Sequence, residues 1–221
     1  MSKVYKWSNV AVAMESALGA ALSITGITKA APGVVTTSAP HGLANGDYVV
    51  LAIQGMFQIN GKVFRVANIA ASTFQMEDVT GGTGVSTVNF DGFTSGTANK
   101  ITFGNTISTA TSVSASGGDF SFIDTTTIHV NQKTQIPGVA NAISFGKDHL
   151  WDPTDAGQIA MKSASDQQAQ KAFKFVFGAN GAVMVFTGYV GFTGSPGGNA
   201  QDKVTTPSTI TAFGTPTYYS A

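Results

Sequence analysis

The close spacing of turn signals constrains this sequence most, because it leaves room for strands and for little else. Asn60-Gly61 and the segment His41-Gly42-Leu43-Ala44-Asn45-Gly46-Asp47 supply residues that accept the positive-φ geometry of tight reversals. Around them lie four short runs, residues 34–37, 48–54, 62–69 and 73–77, rich in β-branched and aromatic side chains. Residues 27–79 therefore read as a compact β unit in their own right. The spacing of strands and turns is that of an all-β sandwich or barrel.

The same reading extends along most of the chain. Residues 7–15 and 22–29 form the first two candidate strands. Residues 78–118 are dominated by Gly, Ser and Thr, with Gly81-Gly82-Thr83-Gly84 near the start and a weak alternation over 101–116. Residues 120–130 read as a firmer strand, with Phe120, Phe122, Asp124, Thr126, Ile128 and Val130 on one face. Residues 131–153 read as a long loop, of a length that is functional or ordered by a partner. One helix is expected after Asp152, Pro153 and Asp155, which offer N-cap and first-turn proline chemistry. Residues 171–177 and 183–192 form the clearest hairpin. Phe173, Phe175, Phe177, Val183 and Val185 are its candidate core residues. A second loop over 193–206 and a strand over 208–213 close the chain.

Composition excludes several functions. Of 221 residues only 11% are charged, against roughly 25% in an average globular domain, and twelve basic residues cancel twelve acidic ones. With a single arginine, Arg65, there is no clustered basic footprint for nucleic acid. No cysteine is present, so disulfides and thiolate chemistry are absent. No run of about 18 apolar residues suggests a membrane span. Residues 10–22 imitate a secretion signal, but Glu15 interrupts them, and a half-buried structural segment is the expected reading.

Catalytic patterns fail on spacing. Ser144, His149 and Asp152 can be drawn as a triad, yet no serine sits in a G-x-S-x-G elbow. His41, His129 and His149 lack metal-binding spacing, and His41 reads as a turn residue. Gly194-Ser195-Pro196-Gly197-Gly198 and the 81–84 glycines are followed by no P-loop lysine. Glu77 and Asp78 are adjacent, which on a strand sends them to opposite faces. Trp7 and Trp151 are too dispersed for a sugar platform and read as core or interface anchors. No enzyme, cofactor or metal is expected.

The order of elements resembles that of the tail tube (major tail) proteins of long-tailed bacteriophages. The resemblance runs from Phe122-Ile123-Asp124-Thr125-Thr126-Thr127-Ile128 through Pro137-Gly138-Val139 and Trp151-Asp152-Pro153 to the helix. It continues through Lys171-Ala172-Phe173-Lys174-Phe175-Val176-Phe177, Gly188-Tyr189-Val190 and the ending Thr209 to Thr217 with Gly214-Thr215-Pro216. Ser8 to Ser16 is similar to the opening of such proteins. Separately, residues 27–79 resemble a small β module that recurs in phage tail and fibre proteins. The pattern carrying that likeness includes Val34-Val35-Thr36-Thr37, His41-Gly42-Leu43, Gly46-Asp47, Asn60-Gly61 and Thr73-Phe74.

The resemblance implies a mainly β protein. Its body would be a two-sheet antiparallel sandwich with one short flanking helix, formed by residues 1–26 and 80–221. The 27–79 module would be inserted on the outer surface. It further implies hexameric rings that close an inner barrel and stack into a virion tube assembled in the host cytoplasm. The implied partners are further copies of the chain, a tape-measure protein in the lumen, tail terminator and tail-tip proteins, and DNA passing without specific binding. Apolar residues in the 131–153 segment, Ile136, Val139, Ile143, Phe145 and Trp151, are the candidate assembly contacts. The alternative is a fibre or baseplate module that recognises a host glycan, and a contractile tube shares the same expected fold.

Overall fold

In the computed structural model, residues 4–79, 84–178 and 181–220 are described. The chain is mainly β with antiparallel strands, and the described residues hold one α-helix. Two β units share the work. The first is a closed barrel of β2 (Ala17–Ile27), β3 (Val34–Thr37), β6 (Thr73–Met76), β5 (Val63–Ala67), β4 (Tyr48–Gln54) and β7 (Ser95–Thr102), which returns to β2. Alternation builds it: Val49, Leu51 and Ile53 of β4 turn inward to meet Val35, Val66, Phe74 and Met76. At Gly61, φ is +72°, the geometry its Asn-Gly turn requires, and Asn60 Oδ1 accepts the Ile53 amide at 2.9 Å.

The 27–79 segment does not close by itself. Leu22↔Ala98 and Ser23↔Thr97 pair β2 with β7, and Leu51↔Ala98 pairs β4 with β7. The barrel therefore recruits strands that were expected in the sandwich, one before and one after the segment. Closure demands them: strands 3 to 6 alone would leave two open edges.

The second unit is a seven-stranded sheet in the order β8-β1-β13-β14-β15-β12-β9. Its strands are β1 (Val10–Met14), β8 (Asn105–Thr106), β9 (Ala110–Ser116), β12 (Ser144–Leu150), β13 (Lys171–Phe177), β14 (Val183–Phe192) and β15 (Thr205–Tyr219). The sheet folds over on itself. Two strands, β14 and β15, separate β12 from β13, yet the Phe145 ring on β12 stands 5.6 Å from Phe175 and 5.2 Å from Phe186. Helix α1 (Ala156–Asp166) covers the same core with Met161 and Ala164. Asp155 caps the helix by accepting the Gln158 amide.

Register sorts the hairpin's apolar residues between two places. With Phe173 opposite Phe186 and Phe175 opposite Met184, both phenylalanines are fully buried in the sandwich-like core, and Phe177 packs at its margin. Val183 and Val185 point to the other face. There Val185 joins Ala172, Tyr219, Val63 and Ile101 in a cluster that welds the sheet to the barrel, with Val183 at its edge.

Several elements differ from the sequence reading. The 131–153 segment is mostly two strands, β11 (Gln135–Ala140) and β12, rather than a loop. Gly146 and the charged Lys147 and Asp148 mask the β12 alternation, but pairing on both sides, with β15 and β9, fixes it. The strand beginning at Phe120 is β10 (Phe120–Asp124). It stops at Asp124, whose carboxylate accepts the Thr126 amide in a local turn. The closing strand runs past Gly214 and Pro216 to Tyr219, with an irregularity opposite Val185–Thr187 absorbing the proline. The glycines at 81–83 lie outside the described residues.

Candidate assembly surfaces

No chemical centre forms from the candidate triad. Ser144 and His149 sit five residues apart on β12, which puts them on opposite faces. His149 is buried against Ser208 Oγ at 2.7 Å, with Thr109 Oγ1 at 3.3 Å from Nδ1. Burial pushes its pKa down to about 4. Asp152 organises the turn before α1, accepting from both the amide and the hydroxyl of Thr154. His41 locks its own turn: Nδ1 accepts the Leu43 amide, so Nε2 carries the proton it donates to the Thr73 carbonyl. His129 is exposed on the 125–134 turn. Glu77 forms a bidentate pair with Arg65. Gly194 offers its carbonyl to Trp151 Nε1 at 2.9 Å.

One ionic group was missed by sequence reading. Lys147 is only 2% exposed, and its Nζ lies 4.3 Å over the Phe175 ring with no hydrogen-bond partner among the described residues. Burial lowers its pKa to about 7. The Phe145, Lys147, His149 alternation would have revealed it, had the segment been read as a strand. Glu15 is its opposite: equally buried, but satisfied by the Ala172 amide at 3.1 Å and Lys171 Nζ at 3.0 Å. That pairing explains a carboxylate inside an apolar N-terminal run.

The joint between barrel and sheet is densely tied. Tyr219 inserts its ring beneath the Arg65 guanidinium, 4.6 Å away, and its hydroxyl oxygen accepts the Arg65 amide at 2.8 Å. Thr187 donates to the Gly61 carbonyl at 2.8 Å, and Lys174 Nζ lies 4.9 Å from the Phe103 ring centre. The barrel is thus fixed in place by specific contacts.

Three surfaces remain unfinished within one chain. The first is the pair of sheet edges. Strand β8 covers β1 only at Ala13 and Met14, and among the described residues β9 pairs with β12 alone. The β9 sequence Ala-Thr-Ser-Val-Ser-Ala-Ser has no charge or proline to block strand addition. The second is the arm formed by β10 and β11, in which no residue of either strand is fully buried. Ile136 is half exposed and Val139 is 83% exposed on that arm. The third is a groove of about 550 Å³ beside α1, lined by Trp151, Ile159, Phe192 and Gly194 with Lys162 and Asp166 on its rim.

The five candidate assembly residues thus separate. Ile136 and Val139 lie on the arm and Trp151 lines the groove. Ile143 packs against the sheet core, and Phe145 is buried within it at 6% exposure. Phe145 is therefore a core residue and not an exposed contact, because its strand is paired on both sides.

Among the described residues, no helix is long and apolar enough to cross a membrane. No curated protein matches the chain. Residues 54–221, about three quarters of its length, match the model of a family described as phage tail tube protein, TTP. The match begins at the last residue of β4 and takes in barrel strands β5, β6 and β7 and all of the sheet except β1. It gives the chain a structural role in a virion tail. The chain belongs to the phage tail tube protein family.

Proposed function

We propose that this chain is the repeating subunit of the tube. Six copies join sheet edge to sheet edge into a ring, and rings stack into a hollow conduit that houses a tape-measure protein and later passes DNA. The observation that carries this reading is the pair of unblocked edges, β1/β8 and β9, at the two ends of one sheet. An open edge offers unpaired amides and carbonyls to another strand. A head-to-tail pairing of two different edges closes into a ring when the rotation permits. The near absence of arginine suits a wall past which a polyanion must slide, since phosphate contacts would hold it back.

On this reading the barrel sits on the outside of the tube, held by the Tyr219 joint. The terminator and tail-tip proteins would meet the same edges and faces at the tube's two ends. Electron microscopy of the concentrated protein tests the proposal. Hollow tubes or six-fold rings are expected; a protein that stays monomeric at every concentration and salt would overturn it.

A further inference from the structure

We infer that the arm of one copy docks into the groove beside α1 of the next copy, with Phe120 and Phe122, which share one face of β10, covering Trp151 and Ile159. The inference rests on the tube reading and adds which surfaces meet. Of the 22 large hydrophobic residues exposed among those described, seven lie between Phe120 and Val139, and two, Trp151 and Ile159, line the groove together with the buried Phe192. Nine of the 22 therefore sit on the arm or in the groove. An isolated two-stranded ribbon is marginal in water and needs a surface to pack on. The groove offers one: an aromatic and aliphatic floor with a polar rim, the arrangement of an interface pocket.

The chain's own arm does not fill its own groove. The arm leaves the sheet after Ser116, through Gly117 and Gly118 at φ +85°, and returns just before Ser144. The groove starts at Trp151, past the other end of β12. Seven strand residues separate these points by about 20 Å. Arm and groove thus face opposite ends of one strand, so their meeting requires a second copy displaced along that direction. Such a contact repeats indefinitely. Each partner also brings an ion pair already made, Lys133–Asp124 on the arm and Lys162–Asp166 on the rim, so docking leaves no lone charge to bury.

The cysteine-free sequence permits a direct test. Phe120→Cys and Ile159→Cys are introduced together, the protein is assembled, and a short bis-maleimide bridges the thiols. A ladder of covalently linked chains is expected from the double variant, and at most linked pairs from either single one. Adding Phe122→Asp should lower the linked fraction about tenfold, the loss of one aromatic anchor. Tubes seen by microscopy without a ladder would overturn the arm–groove pairing while leaving the tube reading intact. Failure of the unaltered protein to form tubes would remove both. If the cysteine pair itself blocks assembly, Val139→Cys with Ser163→Cys, on the groove wall, reads the same contact, and the absence of a ladder there is equally decisive.

Discussion

The barrel and the sheet are built from the same kinds of strand, yet one is finished and the other is not. The barrel pairs β7 back to β2, encloses Val35, Leu51, Phe74 and Met76, and leaves no edge open. The sheet buries an equally dense core around Phe173, Phe175 and Phe186, but among the described residues it stops at two unpaired edges and projects an arm that nothing covers. Closure makes the barrel self-sufficient, and on the proposed reading the open edges are what other copies complete. Near-zero net charge fits that reading, since little repulsion keeps copies apart.

The sharpest way to break the comparison is to strike the sheet core. Phe175→Ala should cost about 3–5 kcal/mol, read as a shift in the urea midpoint, because the ring is fully buried beneath Phe145 and Lys147. A wild-type midpoint would mean that the β13 register is wrong.

Next in size is Lys147. Its amine is buried without an acceptor, and burial holds the folded-state pKa near 7 against 10.5 for the free side chain. The unfolded chain therefore keeps its proton over a pH range in which the folded chain has lost it. The folding penalty is full below pH 7 and fades as pH rises toward 10.5. Lys147→Met should stabilise the monomer by on the order of 4 kcal/mol at pH 6. The gain should shrink at pH 9, and thermal melts at the two pH values measure it. A destabilised variant with no pH trend would show that the amine has a partner after all. His149, with its pKa lowered to about 4, works in the acid range. Unfolding should become easier as pH falls from 6.5 toward 4, and a melt profile flat over that range would refute the burial argument.

Smaller effects sharpen the boundary between the units. Tyr219→Phe keeps the ring under Arg65 but strands the Arg65 amide, at a cost of about 1–3 kcal/mol. The loss should appear as faster hydrogen exchange at the joint, with the far side of the barrel unchanged. Smallest for the monomer is Phe122→Ala. Its side chain is exposed, so the melting curve should move by less than about 0.5 kcal/mol, while assembly is weakened. A variant that unfolds would place the arm within the monomer's own core.

Much of this architecture could be read in the sequence where local signals agree. Strands 3, 4, 13 and 14 have the bounds that alternation and Asn-Gly turns suggest, because pattern and propensity point the same way there. Reading failed where pairing overrides local chemistry. Strand β12 contains glycine, lysine, aspartate and histidine, and only its two neighbours make it a strand. Strands β2 and β7 close the barrel by pairing with each other across more than seventy residues, which no local pattern records. Phe145 followed from the same error, and Lys147 was invisible without the strand. The arm is the reverse case. Its alternation was clear, but alternation alone does not say that neither face is covered.

The central claim is that the sheet and its arm are completed by other copies while the barrel is complete alone. Hydrogen exchange on monomer and assembled tube, compared segment by segment, tests it most directly. Amides of β9, β10 and β11 should exchange quickly in the monomer, as exposed and singly paired backbone does, and become strongly protected in the tube. The barrel strands from Ala17 to Thr102 should be protected equally in both states. If the arm and the β9 edge show the same exchange before and after assembly, or the barrel strands alone gain protection, the division drawn between the two units is contradicted.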